Sequence, residues 1–171
     1  MSSESIVIGC QGENWKLQTN TDNFFKIRRQ EGEKEMASIF LFDDDIRMSK
    51  AMENDLEKMG NNVVVINNLD ELDDKISQVE NNDIIIMDVI CRSKKLAQKM
   101  GTKEEYVGPY GIIYVAEKWG RNKEMLDKVI LMSSWEDPWI EGAAKKIDCP
   151  LFNKSFQKEN MLEYISQKKS A

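Results

Sequence analysis

Two short apolar runs end in acids. IFLF at 39–42 is followed by Asp43, Asp44 and Asp45, and IIIM at 84–87 is followed by Asp88. Carboxylates delivered side by side from two neighbouring strands make a compact anionic pocket that suits a hard divalent cation with oxygen ligands. A metal held there neutralises phosphoryl oxygens. Asp88 beside it is a candidate carboxylate nucleophile, forming an aspartyl phosphate. Two more strand-end residues fit the same chemistry. Ser133, after VILM at 129–132, offers a hydroxyl to a phosphoryl oxygen. Lys154, after PLFN at 150–153, offers a mobile point charge.

These residues need a scaffold that brings strand ends together. The runs are too short for helices and show no polar alternation, so they read as strands buried on both faces of a parallel sheet. Such sheets place their sites at the carboxyl edge of the strands. From residue 37 the chain alternates strand and helix. IFLF is the first strand, VVVI at 63–66 the second, IIIM the third, VILM the fourth and PLFN the fifth. Between them, the first helix is expected to bury Met48, Ala51, Met52, Leu56 and Met59 and to stop at Gly60. The second carries Leu69, Leu72, Ile76 and Val79. The third carries Ile112, Val115, Ala116 and Trp119, closed by Gly120. Asp137 and Pro138 are an N-cap and first-turn pair for a fourth, and Met161, Leu162 and Ile165 mark a fifth. Five strand–helix units predict an α/β fold with a doubly wound parallel sheet. Trp135 and Trp139 are expected to pack partly into the core.

Residues 1–36 stand apart as an N-terminal extension preceding a domain at 37–171. SIVIGC at 5–10 and WKL at 15–17 have the pattern of a hairpin, FFKIRR at 24–29 of a helical turn, and EGEKE at 31–35 of a solvated linker.

Composition narrows the chemistry. The 171 residues contain no histidine, which excludes Ser-His-Asp and Cys-His catalysis, His-ligated metals and a phosphohistidine donor within this chain. Cys10, Cys91 and Cys149 are odd in number and widely spaced, which suits a reducing, cytoplasmic setting. The net charge of −6 argues against a general nucleic-acid surface, and no apolar run reaches membrane-spanning length. No Gly-rich phosphate-cradling loop is present.

The pieces IFLFDDD, IIIMD, LMSS and NKSF, in that order on a five-unit strand–helix pattern, resemble the receiver domain of two-component response regulators over about residues 37–167. The resemblance implies a CheY-like, flavodoxin-like sheet of order 2-1-3-4-5. It implies phosphoryl transfer to Asp88 from the phosphohistidine of a histidine kinase or histidine phosphotransfer protein. It also implies Mg²⁺ held by Asp43, Asp44, Asp88 and the backbone carbonyl of Ile90, with Ser133 and Lys154 on the phosphoryl group and Ser134 as the small residue of the pocket. Output would pass to a downstream protein target, with a homodimer as one form, from a stand-alone receiver lacking an output domain.

Three departures from the family pattern stand out. Ser155 replaces the usual proline after the lysine. Leu151 occupies the place of the switch aromatic, with Phe152 next to it. The loop after the third strand is long, and its insert at 91–109 carries Arg92, Lys94, Lys95, Lys99 and Lys103. Helix formers in RSKKLAQKM, with Gly101 as a stop, predict a short helix there that acts as a lid or docking element. Two other readings remain at this stage. One is a degenerate receiver that binds partners without being phosphorylated. The other is a haloacid-dehalogenase-like phosphohydrolase using an Asp-x-Asp within Asp43, Asp44 and Asp45, which leaves Asp88 without a role.

Overall fold

Five apolar segments pair as a parallel sheet in a computed structural model of the chain, which describes residues 5–11, 14–20, 38–77, 79, 83–103 and 107–170. The chain divides into two compact units, Met1–Lys34 and Glu35–Ala171. In the first, β1 (Ser5–Gln11) and β2 (Asn14–Asn20) form an antiparallel hairpin with Cys10 opposite Trp15. The expected helical turn at 24–29 and linker at 31–35 lie outside the described residues.

In the second unit the strands are β3 (Ser38–Phe42), β4 (Asn62–Ile66), β5 (Ile84–Asp88), β6 (Val129–Ser133) and β7 (Leu151–Asn153). Their order is β4-β3-β5-β6-β7, all parallel, which is the expected 2-1-3-4-5. β5 and β6 are buried at every position, so both of their faces must be covered. One face packs against α1 (Ile46–Lys58) and α7 (Lys158–Ser170), through Ile39, Leu41, Ile84, Ile86, Met52, Leu56, Met161 and Ile165. The other carries α2 (Leu72–Ile76, preceded by a 3₁₀ turn at Leu69–Glu71), α3 (Lys94–Lys99), α4 (Tyr110–Trp119), α5 (Lys123–Leu126) and α6 (Pro138–Lys146).

Local signals set several boundaries. The Asp137 side chain accepts from the Trp139 amide at 2.7 Å, and Pro138 opens α6 as the sequence predicts. Asp45 caps α1, accepting from the amides of Arg47 and Met48. The insert forms the expected short helix, α3. Ser93 caps it, and Gly101 at φ +67° ends the segment, a conformation that glycine adopts without steric cost.

Some expectations need correction. α1 buries Ser49, Met52 and Leu56, while Met48 and Met59 are about two-fifths exposed, so these two methionines do not fill the core. Ser49 takes a buried slot because its hydroxyl bonds to the Ile46 carbonyl and to Asn67. Ala116 faces solvent; α4 instead buries Tyr110, Ile112, Val115 and Trp119. Trp135 and Trp139 are more than half exposed; Trp135 lies in the loop before α6, and α6 turns Ile140 and Ala144, not Trp139, to the core.

Candidate functional site

The parallel ladder carries the acids to one edge of the sheet. β3 continues its pairing for one more residue, the Asp43 amide donating to the Ile66 carbonyl at 3.1 Å. Asp43 is 1% exposed and Asp88, the last residue of β5, is 3% exposed. One oxygen each from Asp43, Asp44 and Asp88 lie within 4.8 Å of one another.

A single ammonium ties two of these acids together. Lys154 Nζ lies 2.7 Å from Asp43 Oδ2 and 2.9 Å from Asp88 Oδ2. Burial opposes the charge on Lys154, but the two carboxylates outweigh it and hold the amine above its usual range. Asp88 is pushed up to about 7, first by burial and further by the charge of Asp43, against the pull of Lys154. The Ile90 amide also donates to Asp88 Oδ1 at 3.2 Å. The third acid has a different cation. Asp44 Oδ2 accepts from both the Arg92 amide and Arg92 Nη1, each at 3.2 Å.

Asp45 is not part of this cluster. It is exposed and spent on capping α1, so the Asp-x-Asp arrangement required of a phosphohydrolase is not assembled.

The turn that presents Lys154 is built from neighbouring side chains. The Lys154 amide donates to the Ser133 carbonyl at 2.9 Å, joining the ends of β6 and β7. Asn153 Oδ1 accepts from the Ser155 amide, and Gln157 Oε1 accepts from the Asn153 amide, each at 2.8 Å. The peptide into Ser155 is trans. Ser133 is buried at the same edge, but its hydroxyl faces its own loop, donating to the Trp135 carbonyl and accepting from the Trp135 amide. Phe152 does not stand in for an aromatic at Leu151. Successive strand residues face opposite sides, and Phe152 packs against Tyr164 with ring centroids 5.7 Å apart while Leu151 joins the opposite layer.

The insert is anchored, not free. Cys91 and Gly108 exchange two backbone hydrogen bonds at its neck. The Ser93 hydroxyl donates to Asp70 at 2.7 Å, and Lys95 Nζ donates to the Asp70 carbonyl. Lys99 pairs with Glu117 of α4 at 2.7 Å. Arg92, Lys95 and Lys99 are thus engaged within this chain.

Two contributors, Asn67 and Asp70, escape the sequence reading, and Arg92 enters it only as a charge of the insert. Asn67 donates to the Asp43 carbonyl at 2.7 Å and to Ser49 Oγ at 2.9 Å, fixing the loop that holds the acids. A polar residue just past VVVI, at the same sheet edge, is the signal that points to it. Asp70 anchors the insert, and Arg92 covers Asp44; neither follows without the path of the loop.

The donor set fits a hard divalent cation. It consists of carboxylate oxygens alone, close enough to share one ion, and the cationic groups of Lys154 and Arg92 already balance part of its charge.

No family model matches the chain, and no curated protein matches it. Solved structures do share its fold. A response regulator from Thermotoga maritima is 20% identical, covers 80% of this chain and 99% of its own, with a TM-score of 0.54. A CheY-like receiver domain protein from Methanospirillum hungatei is 16% identical over 79% of this chain and 94% of its own, at 0.55. The signal receiver domain of a histidine kinase from Syntrophus aciditrophicus is 16% identical over 78% and 90%, at 0.59. The second unit of the chain therefore has the CheY-like receiver fold.

Proposed function

We propose that this chain is a phosphoacceptor receiver, phosphorylated on Asp88. The observation that carries the reading is the Lys154 ammonium bridging Asp43 and Asp88 at the carboxyl edge of a receiver-type sheet. An oxygen of Asp88 attacks phosphorus in a partner's phosphohistidine. The P–N bond breaks, and the imidazole nitrogen leaves with the electron pair and takes a proton from solvent. Water later attacks the acyl phosphate, returning the Asp88 carboxylate and inorganic phosphate. Asp43, Asp44, Asp88 and the Ile90 carbonyl would hold Mg²⁺, which supplies charge neutralisation at the phosphoryl oxygens. Lys154 contributes a second positive charge at the same place. For Ser133 to reach the phosphoryl group, its hydroxyl must leave the Trp135 backbone. The donor is a histidine kinase or histidine phosphotransfer protein, and the output is a contact with a downstream protein. Among the described residues no helix is long and apolar enough to cross a membrane.

A second reading, a receiver that binds partners without being phosphorylated, draws support from Leu151 in place of an aromatic and from the engaged Ser133 hydroxyl. One experiment separates the two. Intact mass after treatment with acetyl phosphate and Mg²⁺ should show one phosphoryl adduct, absent from Asp88→Asn. No adduct on the unaltered chain favours the second reading, and an adduct that survives the substitution moves the acceptor elsewhere.

A further inference from the structure

We infer that Arg92 is a tethered cation that competes with the divalent metal for Asp44, so that metal binding turns its guanidinium out into the cavity above that acid. The inference rests on the proposed metal site and adds its regulation by the insert.

The asymmetry of the three acids motivates it. Lys154 pairs with Asp43 and Asp88, while Asp44 is held by Arg92. The Asp44 side chain is mostly buried, at 15% exposed, whereas that of Arg92 is 62% exposed. Both Arg92 contacts fall on Asp44 Oδ2, so a divalent ion that takes this oxygen must displace the guanidinium from it.

The local geometry allows the side chain to leave without unfolding the insert. On one side of Arg92, Cys91 is buried and paired to Gly108 through both backbone groups. On the other, Ser93 caps α3 through the Leu96 amide at 3.1 Å and bonds to Asp70. The backbone is pinned at both neighbours, so the mobile part is the guanidinium. Beside it lies an open cavity of about 440 Å³ lined by Asp44, Asp45, Ile46, Arg47, Arg92 and Val107. A guanidinium released into that space, which Arg47 also lines, adds positive charge where an anionic phosphodonor approaches.

An ion pair with one partner exposed, as here, is worth a factor of about two to five in an equilibrium constant. The test titrates Mg²⁺ into the full chain at physiological ionic strength by calorimetry. Parallel NMR spectra follow the Arg92 Nε–H resonance. Arg92→Gln should bind Mg²⁺ about two- to fivefold more tightly, and Arg92→Lys should fall between it and the unaltered chain. Lys99→Gln, which removes a charge of the same insert that pairs elsewhere, should leave the affinity unchanged. The Arg92 resonance should move on metal addition while the amides of α3 stay in place. Equal or weaker binding by Arg92→Gln, or an equal gain in Lys99→Gln, overturns the competition but leaves the metal site standing. Absence of Mg²⁺ binding in every variant overturns both.

Discussion

Gly111 sits against Asp88 so closely that a Cβ at residue 111 would lie 1.9 Å from the Asp88 carbonyl oxygen. The amide of Gly111 also donates to the Val89 carbonyl at 3.1 Å. The first turn of α4 therefore rests directly on the strand end that carries the candidate phosphoacceptor. Helix propensity alone favours alanine over glycine by about 1 kcal/mol, but the clash here is with backbone. Gly111→Ala should lose about 1–3 kcal/mol of stability. Gly142, in α6, has no neighbour within 4 Å of a built Cβ, and Gly142→Ala should gain about 0.5–1 kcal/mol. Urea denaturation of the two variants tests the opposite signs.

Asp88 gives the site a defined pH response. Its carboxyl is held at about 7 in the fold, mainly by burial, against an ordinary value of 3.8. Between those values the folded chain binds the proton more tightly than the unfolded chain. The Asp88 contribution to stability is therefore fully present below about 4, declines as pH rises to about 7 and is flat above. Stability of Asp88→Asn minus that of the unaltered chain, measured in EDTA from pH 4.5 to 8, should grow with pH by a few kcal/mol. The same proton competes with metal, so Mg²⁺ affinity should fall as pH drops below about 7. A flat stability difference across that range would remove burial of a proton-binding Asp88 from the account.

The sheet was readable because a strand covered on both faces is an uninterrupted apolar run, as at Ile84–Met87, and each such run ended in a chemically distinct residue. The helices were less so. A stripe of Met48, Met52, Leu56 and Met59 implies a wider buried arc than the sheet covers, and Ser49 entered the core because Asn67 satisfies its hydroxyl. α5 is four residues long, too short to show a period. Asp43, Asp44, Asp88 and Lys154 could be placed together because parallel strands share one carboxyl edge. The rotamer of Ser133 and the reach of Arg92 depend on loop paths that no residue spacing encodes.

Asp70 is expected to hold the insert closed. It accepts from the Ser93 hydroxyl at 2.7 Å and from the Lys94 amide at 3.2 Å, so one carboxylate secures both the cap residue and the first residue of α3. α3 has six residues and no helix-length stability of its own. Asp70→Ala should raise amide exchange across 93–100 about tenfold, the equivalent of about 1–2 kcal/mol, with no change in β5. Exchange that rises equally in both segments would mean global destabilisation, and unchanged exchange would mean that Leu96 and Ala97 hold the insert by packing alone.

Asn67 provides the last test, because it links two loops of the site without being a ligand. Its amide nitrogen donates to the Asp43 carbonyl and to the buried Ser49 hydroxyl, so it ties the end of β3 to α1 from the end of β4. Asn67→Ala leaves that carbonyl without its donor, and an unmet buried polar group costs about 1–3 kcal/mol. Ser49 keeps its bond to the Ile46 carbonyl, which limits the loss. The more telling consequence falls on Asp43, whose side chain also accepts from the Asp45 amide at 3.0 Å within the same turn. Loosening that turn should weaken Mg²⁺ binding severalfold by calorimetry. Asn67→Asp should cost more stability than Asn67→Ala when measured in EDTA, since it replaces a donor with an acceptor facing the Asp43 carbonyl and adds negative charge beside three acids. Equal metal affinity in Asn67→Ala and the unaltered chain would show that the Asp45 and Lys154 contacts position Asp43 without help.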